Sequence, residues 1–229
     1  KIRPLRISKL SERIDPPLVR IYTPEGVRGK DKGRAINRIE AMAIVAELGS
    51  ILADPRYAKR TIGVISLLGP AQAEYIQKLA FDSLNPVELS KRQFACGEPS
   101  SFQGAERDII FMSMVATPED CHALTRRDHE QRFNVAASRA RERMYLVHSV
   151  TLDNLSPVDI RCNLLSHFSN PEMVDYSSLE ILNEKCESAF EKDVLTELFN
   201  LGYRVSPQVK AGAFRIDMVV EGEGDSRLA

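Results

Sequence analysis

TIGVISLLGPAQ, Thr61 to Gln72, holds a near-continuous apolar run from Ile62 to Leu68 and then Gly69 and Pro70. A strand with one wet face alternates polar and apolar residues, so an unbroken run reads as a strand buried on both faces. Gly69 and Pro70 end it and open a helix, with Ala71, Tyr75, Ile76, Leu79 and Ala80 along one side. Two further runs repeat the pattern: IIFMSMV, Ile109 to Val115, and MYLV, Met144 to Val147. A polar helix is expected between them, from about Glu130 to Arg141. Upstream, Asn37 and Glu40 have capping-box spacing, and Ile44, Val45, Leu48 and Ile51 predict a helix running to about Ala53. Strands alternating with helices in this way predict an α/β fold, a parallel sheet covered by helices. Ligands of such sheets collect beyond the carboxyl ends of the strands, so functional residues are expected there or in the loops leading into the next helix.

The chain has 229 residues with 31 Lys+Arg against 32 Asp+Glu, a net charge of −1, and 43% hydrophobic residues. That balance excludes a disordered, collagenous or disulfide-stapled protein. Cys96, Cys121, Cys162 and Cys186 lie too far apart for a zinc knuckle and read as reduced, mostly buried thiols. His122, His129, His148 and His167 share no metal-binding spacing and read as surface or satisfied residues. No long uncharged apolar stretch exists and KIRPLRISKL is charged from its first residue, so a cytoplasmic protein with no membrane partner is expected. Lys1 to Arg34 carries an excess of basic residues, which suits either a phosphate-facing surface or a solvated arm.

Four segments follow. Residues 1–36, broken by Pro and Gly, read as a connector or entry-strand region with one short β-like run, Leu18 to Tyr22. Residues 37–150 form the α/β domain, and 151–180 a linker with a helix around Pro157 to Phe168. Residues 181–229 begin a second domain: Ser188 and Glu191 form another capping pair, Phe190, Val194, Leu195 and Leu198 make an apolar stripe, and two β-like runs meet at Ala211-Gly212. A helix and a hairpin bury too little to fold alone, so this domain is expected to be incomplete.

SSFQGAERDIIFMSMV, Ser100 to Val115, and RFNVAASRARERMYLV, Arg132 to Val147, resemble motifs V and VI of superfamily 1 helicases of the Upf1-like and Dna2-like branch. TIGVISLLGPAQ resembles motif IV, though Leu67, Leu68 and Gly69 stand where that motif commonly has a Pro-aromatic pair and a polar residue. The resemblance implies the second of two RecA-like domains in an ATP-dependent motor. Arg139 then takes the place of the arginine finger, with Arg141 a weaker candidate, and Gly104 and Glu106 border the nucleotide. Ser66, Ser101 and Gln103 would meet nucleic acid, DNA in preference to RNA. An arginine suits the first role because charge shifts onto the terminal phosphate during hydrolysis.

No GxxxxGK[ST] loop occurs in the sequence, nor an apolar strand ending in Asp-Glu to hold Mg²⁺. ATP and Mg²⁺ are therefore expected to be shared with an N-terminal RecA-like domain, and this chain alone to be inactive. The alternative is a non-catalytic adaptor built on a degenerate helicase domain. Ser188 to Val220 resembles the start of a Vsr-like endonuclease of the PD-(D/E)XK class, fused behind the motor. That resemblance implies Asp217, inside an apolar strand where burial is expected, as a Mg²⁺ ligand, and Glu191 as the helix acid of an incomplete site.

Overall fold

The computed structural model describes residues 14–31, 34–102, 105–169, 179–203, 205–211, 214–221 and 227–228. They fall into two compact units, one from Ile14 to Ser169 and one from Leu179 onward.

In the first unit the elements are β1 (Leu18–Tyr22), β2 (Arg28–Asp31), β3 (Arg34–Asn37), α1 (Arg38–Ala53), β4 (Ile62–Ser66), α2 (Pro70–Ser83), α3 (Pro86–Lys91), β5 (Ala95–Gly97), β6 (Arg107–Ser113), α4 (Arg127–Ala137), β7 (Ala140–His148) and α5 (Ile160–Ser169). The strand order β1-β7-β6-β4-β5 is parallel throughout, while β2 and β3 form a separate antiparallel pair. All five residues of β4 are buried, as the apolar run predicts. The two-residue period divides β6 between two cores. Ile109 and Phe111 pack with Ile44, Leu48 and Ile76 of α1 and α2, and Ile110 and Met112 pack with Phe133 and Leu165 of α4 and α5. This is a RecA-like α/β arrangement.

Three expectations change. Leu18–Tyr22 forms a strand, as its β-like run suggested, but it is an outer strand of the main sheet, paired with Met144–His148, so the domain begins before residue 37. Helix α4 stops at Ala137, because Ala140 and Arg143 pair with Arg107 and Ile109 in the sheet, and Arg141 therefore sits on a strand. α3 and β5, too short to show a period, were invisible in the pattern. Of the four free cysteines only Cys186 is buried; the others are half-exposed, although burial pushes the Cys96 thiol upward.

The second unit holds α6 (Leu179–Glu184), α7 (Ala189–Asn200), β8 (Val205–Ala211), β9 (Phe214–Glu221) and β10 (Arg227–Leu228). Ser188 caps α7, and β8 and β9 pair antiparallel; Gly212 of the expected turn lies outside the described residues. No helix among the described residues is long and apolar enough to cross a membrane.

Phe111 stacks on Tyr145 across neighbouring strands at 4.4 Å between ring centroids, and both are fully buried. Phe111→Ala should therefore cost about 3–5 kcal/mol in chemical denaturation. A loss below about 1 kcal/mol would mean that this stack is not part of the core.

Candidate functional site

Strands β6 and β7 begin side by side, and the loops entering them meet at the amino-terminal edge of the sheet. Two glycines prepare this meeting. A Cβ on Gly63 would lie 2.7 Å from both Ile110 Cδ1 and Phe102 Cε1, and one on Gly97 would lie 2.8 Å from Ser101 Cβ. Their bare backbones let the 3-10 turn Pro99–Phe102 dock on the sheet with Phe102 buried. That turn leads directly into Gln103 and Gly104, which lie outside the described residues.

The Arg107 N–H donates to the Arg139 carbonyl at 3.0 Å, tying one loop to the other. The Arg139 side chain turns back on α4: Nε donates to Val135 O at 3.0 Å, and Nη2 to Ser138 Oγ at 2.8 Å. Nη1 makes a long contact of 3.4 Å to Phe102 O. These partners are neutral. No carboxylate among the described residues pairs with this half-exposed guanidinium, so its positive charge stays uncompensated while its position is fixed.

Arg141 is different. Its Nε donates to Glu106 Oε2 at 3.0 Å, and Nη1 lies 3.8 Å from Asp108 Oδ1. Asp108 in turn accepts from the Thr61 N–H and hydroxyl at 2.6 and 2.8 Å. Arg132 is paired with Glu98 at 2.6 Å. Arg107, which the motif reading passed over, contacts only the carbonyls of Gln93 and Glu106 and adds a second guanidinium without an acid among the described residues.

The site thus lies at the amino edge, not beyond the carboxyl ends where the fold class suggested. Its residues come from segments that enter strands, and a linear sequence does not show which end of a strand faces which surface. Arg139, Arg141 and Glu106 are brought together, with exposed Ser101 in the turn beside them. Ser66 is not. Phe102 packs on Gly63, and Ser66 lies three residues further along β4, about 10 Å toward the opposite edge at ~3.3 Å per residue. Its side chain is fully buried and its Oγ has no hydrogen-bond partner among the described residues, so in this arrangement Ser66 offers no surface to a nucleic-acid backbone.

The carboxyl edge holds instead a buried polar knot that the sequence hid. Asn37 Oδ1 caps the Glu40 N–H at 3.1 Å, but the Glu40 side chain does not complete the box on the Asn37 N–H, which is taken by Gln72 Oε1. The carboxyl points into the sheet, where Oε2 accepts from Ser113 Oγ at 2.6 Å and the Val115 N–H at 2.9 Å. Oε1 accepts from Ser149 Oγ at 3.1 Å and Asn37 Nδ2 at 3.2 Å. Glu40 has no measurable exposure, and Val115, a β-branched residue, is held at φ 62°. Burial pushes the carboxyl up to about 7, against the pull of these hydrogen bonds.

In the second unit Asp217 is exposed, so the burial that made it a metal candidate is absent. Glu191 is occupied as a cap, accepting from Ser188 Oγ, the Glu187 N–H and Gln208 Nε2. Among the described residues no three acids, histidines or cysteines converge on a metal position. As they stand, these residues do not fit a nuclease Mg²⁺.

An AAA-domain family, AAA_12, matches residues 5–151 by its family model. The chain belongs to the AAA_12 family. The match spans β1 through β7, making this a helicase-related AAA domain of the Upf1-like type. No curated protein matches the chain.

Glu40 gives a measurable consequence. The folded chain keeps that proton up to about pH 7, whereas an ordinary carboxyl releases it near 4.5. The folded state therefore binds the extra proton between these values, and stability falls as pH rises through the window, by at most about 3 kcal/mol. Glu40→Gln should flatten this fall in urea titrations run from pH 5 to 8; an unchanged slope would assign it to other groups.

Proposed function

We propose that this chain is the nucleotide-sensing RecA-like domain of an ATP-dependent superfamily 1 helicase or translocase that moves on single-stranded nucleic acid, DNA in preference to RNA. The observation that carries the reading is Arg139: a guanidinium fixed by carbonyls and a hydroxyl, uncompensated by any acid among the described residues, beside the loop that bears Glu106. ATP and Mg²⁺ would be held by a second RecA-like domain bearing a phosphate loop, since this sequence has none. When the two domains close, Arg139 reaches the terminal phosphate, where negative charge shifts as the bond to the leaving group breaks. Holding the cation beforehand avoids reorganisation at that moment. Arg141 serves differently, bracing Glu106 and Asp108 and so the shape of the loop before β6. Opening and closing of the cleft would then step the domain along the strand. A nuclease step is not included, because among the described residues Asp217 and Glu191 do not form a metal site.

In a protein carrying both RecA-like domains, Arg139→Ala should lower kcat by about 10³-fold or more while nucleotide affinity stays within a few-fold. Arg139→Lys should recover little, because an ammonium lacks the planar fork. Arg141→Ala should fall between the parent and Arg139→Ala. The 229-residue chain alone should show no ATP turnover. Full turnover in Arg139→Ala would remove Arg139 from the nucleotide site, and no turnover in the parent protein would replace the motor with an adaptor.

A further inference from the structure

At the carboxyl ends of β1 and β7, away from Arg139, the sheet opens into a cavity of about 370 Å³. Its lining includes Arg20, Tyr22, His148, Leu152, Leu165 and Ser169. Arg20 and Tyr22 are two apart on β1 and share a face; Tyr22 is in register with His148 on β7. β1 is the outer strand of the sheet, which leaves the Tyr22 ring 48% exposed. The ring lies 5.3 Å from the imidazole at an interplanar angle of 30°.

His148 is unusual among the four histidines. It is 3% exposed, and its Nδ1 lies 2.7 Å from Val150 O. A carbonyl only accepts, so Nδ1 carries the hydrogen and Nε2 presents a lone pair when the ring is neutral. Burial holds the imidazole below its ordinary range, which favours that neutral form. Nε2 is buried with no hydrogen-bond partner among the described residues. With that atom out of solvent's reach, His148 serves the cavity as the apolar backing of the Tyr22 ring. Arg20 donates through Nη1 to Ser169 Oγ at 2.8 Å, and no carboxylate among the described residues neutralises it.

The cavity therefore offers an aromatic face and an uncompensated cation, two residues apart on one face of β1. One chemical unit carries both complements together: a nucleotide has a flat base and a phosphate. From this juxtaposition we propose that the Tyr22–Arg20 cavity is a socket for a single base of a bound strand, with the base on the face of Tyr22 turned away from His148 and the adjoining phosphate at Arg20. The inference rests on the reading of the chain as a single-strand-binding motor and deepens it by naming where a base is held. With 7% aromatic residues and no Trp, the composition argues against an extended stacking platform. One socket needs only one exposed ring. It also separates the two ligands in space, the strand at the carboxyl edge and the nucleotide at the amino edge.

The test is fluorescence anisotropy on the 229-residue chain with two labelled probes of equal length, a short deoxyadenylate strand and the same strand without bases. The base-bearing strand should bind about tenfold tighter, the scale of one stacked base. Tyr22→Ala should erase that difference and Tyr22→Phe should keep it, and because the ring is half-exposed neither substitution threatens folding. Arg20→Ala should weaken both probes alike, since both carry phosphate. Equal affinity for the two probes, or a difference that survives Tyr22→Ala, overturns the socket and leaves strand binding intact. If neither probe binds, both the socket and the single-strand reading of the chain fall together.

Discussion

Both faces of the β1-β7-β6-β4-β5 sheet are sealed by apolar side chains, and that sealing dictates where everything else can stand. A charged group placed mid-strand would lose its water on either side, at a cost that only pairing offsets. Polar chemistry is thereby driven to the two ends of the strands. At one end the guanidinium of Arg139 is held by helix carbonyls and a serine hydroxyl; at the other, Glu40 is enclosed by four donors. The two edges follow different rules. The amino edge keeps the Arg139 charge accessible, whereas at the carboxyl edge the Glu40 carboxyl is buried in hydrogen bonds that hold the turn after β6 at Val115 and Arg20 stays exposed at the outer strand.

Much of this was legible in the residues themselves. The unbroken run Ile62–Ser66 and the Asn37 cap announced β4 and α1, because burial on both faces and capping each leave a local mark. The Arg139 reading depended on the RFNVAASR string and its neighbours; the guanidinium lies against the Phe102 carbonyl, while Arg141, two residues on, is the one paired with Glu106. Illegible features were those decided by distant partners. RARER looks helical by composition, yet pairing with Arg107–Ile109 makes it strand. Glu40 fits a capping box locally, but Ser113 and Ser149, far off in sequence, draw its carboxyl inward. Ser66 and Ser101 appeared as one polar set and lie at different ends, because strand direction is a property of the assembled sheet. Asp217 shows the converse error: apolar neighbours along a strand say nothing about the face on which a side chain emerges.

The second unit illustrates how far a local signature reaches. Ser188 and Glu191 cap α7 as their spacing implied, and the same cap engages Gln208 of β8. The interaction that makes the helix start legible is also what removes Glu191 from metal chemistry. A carboxylate with three donors already on it has little left to offer a cation.

Strand β7 runs from Arg141, beside Glu106, to His148, beside Tyr22, a path of about 23 Å at ~3.3 Å per residue. It is laced to β6 on one flank and β1 on the other, so it is among the stiffest rods the domain contains. Stretching or bending it would strain two ladders at once. A push delivered at one tip is thus passed to the far tip as rigid translation, so β7 would be the connecting rod between the two edges if the proposed nucleotide and strand sites are both used.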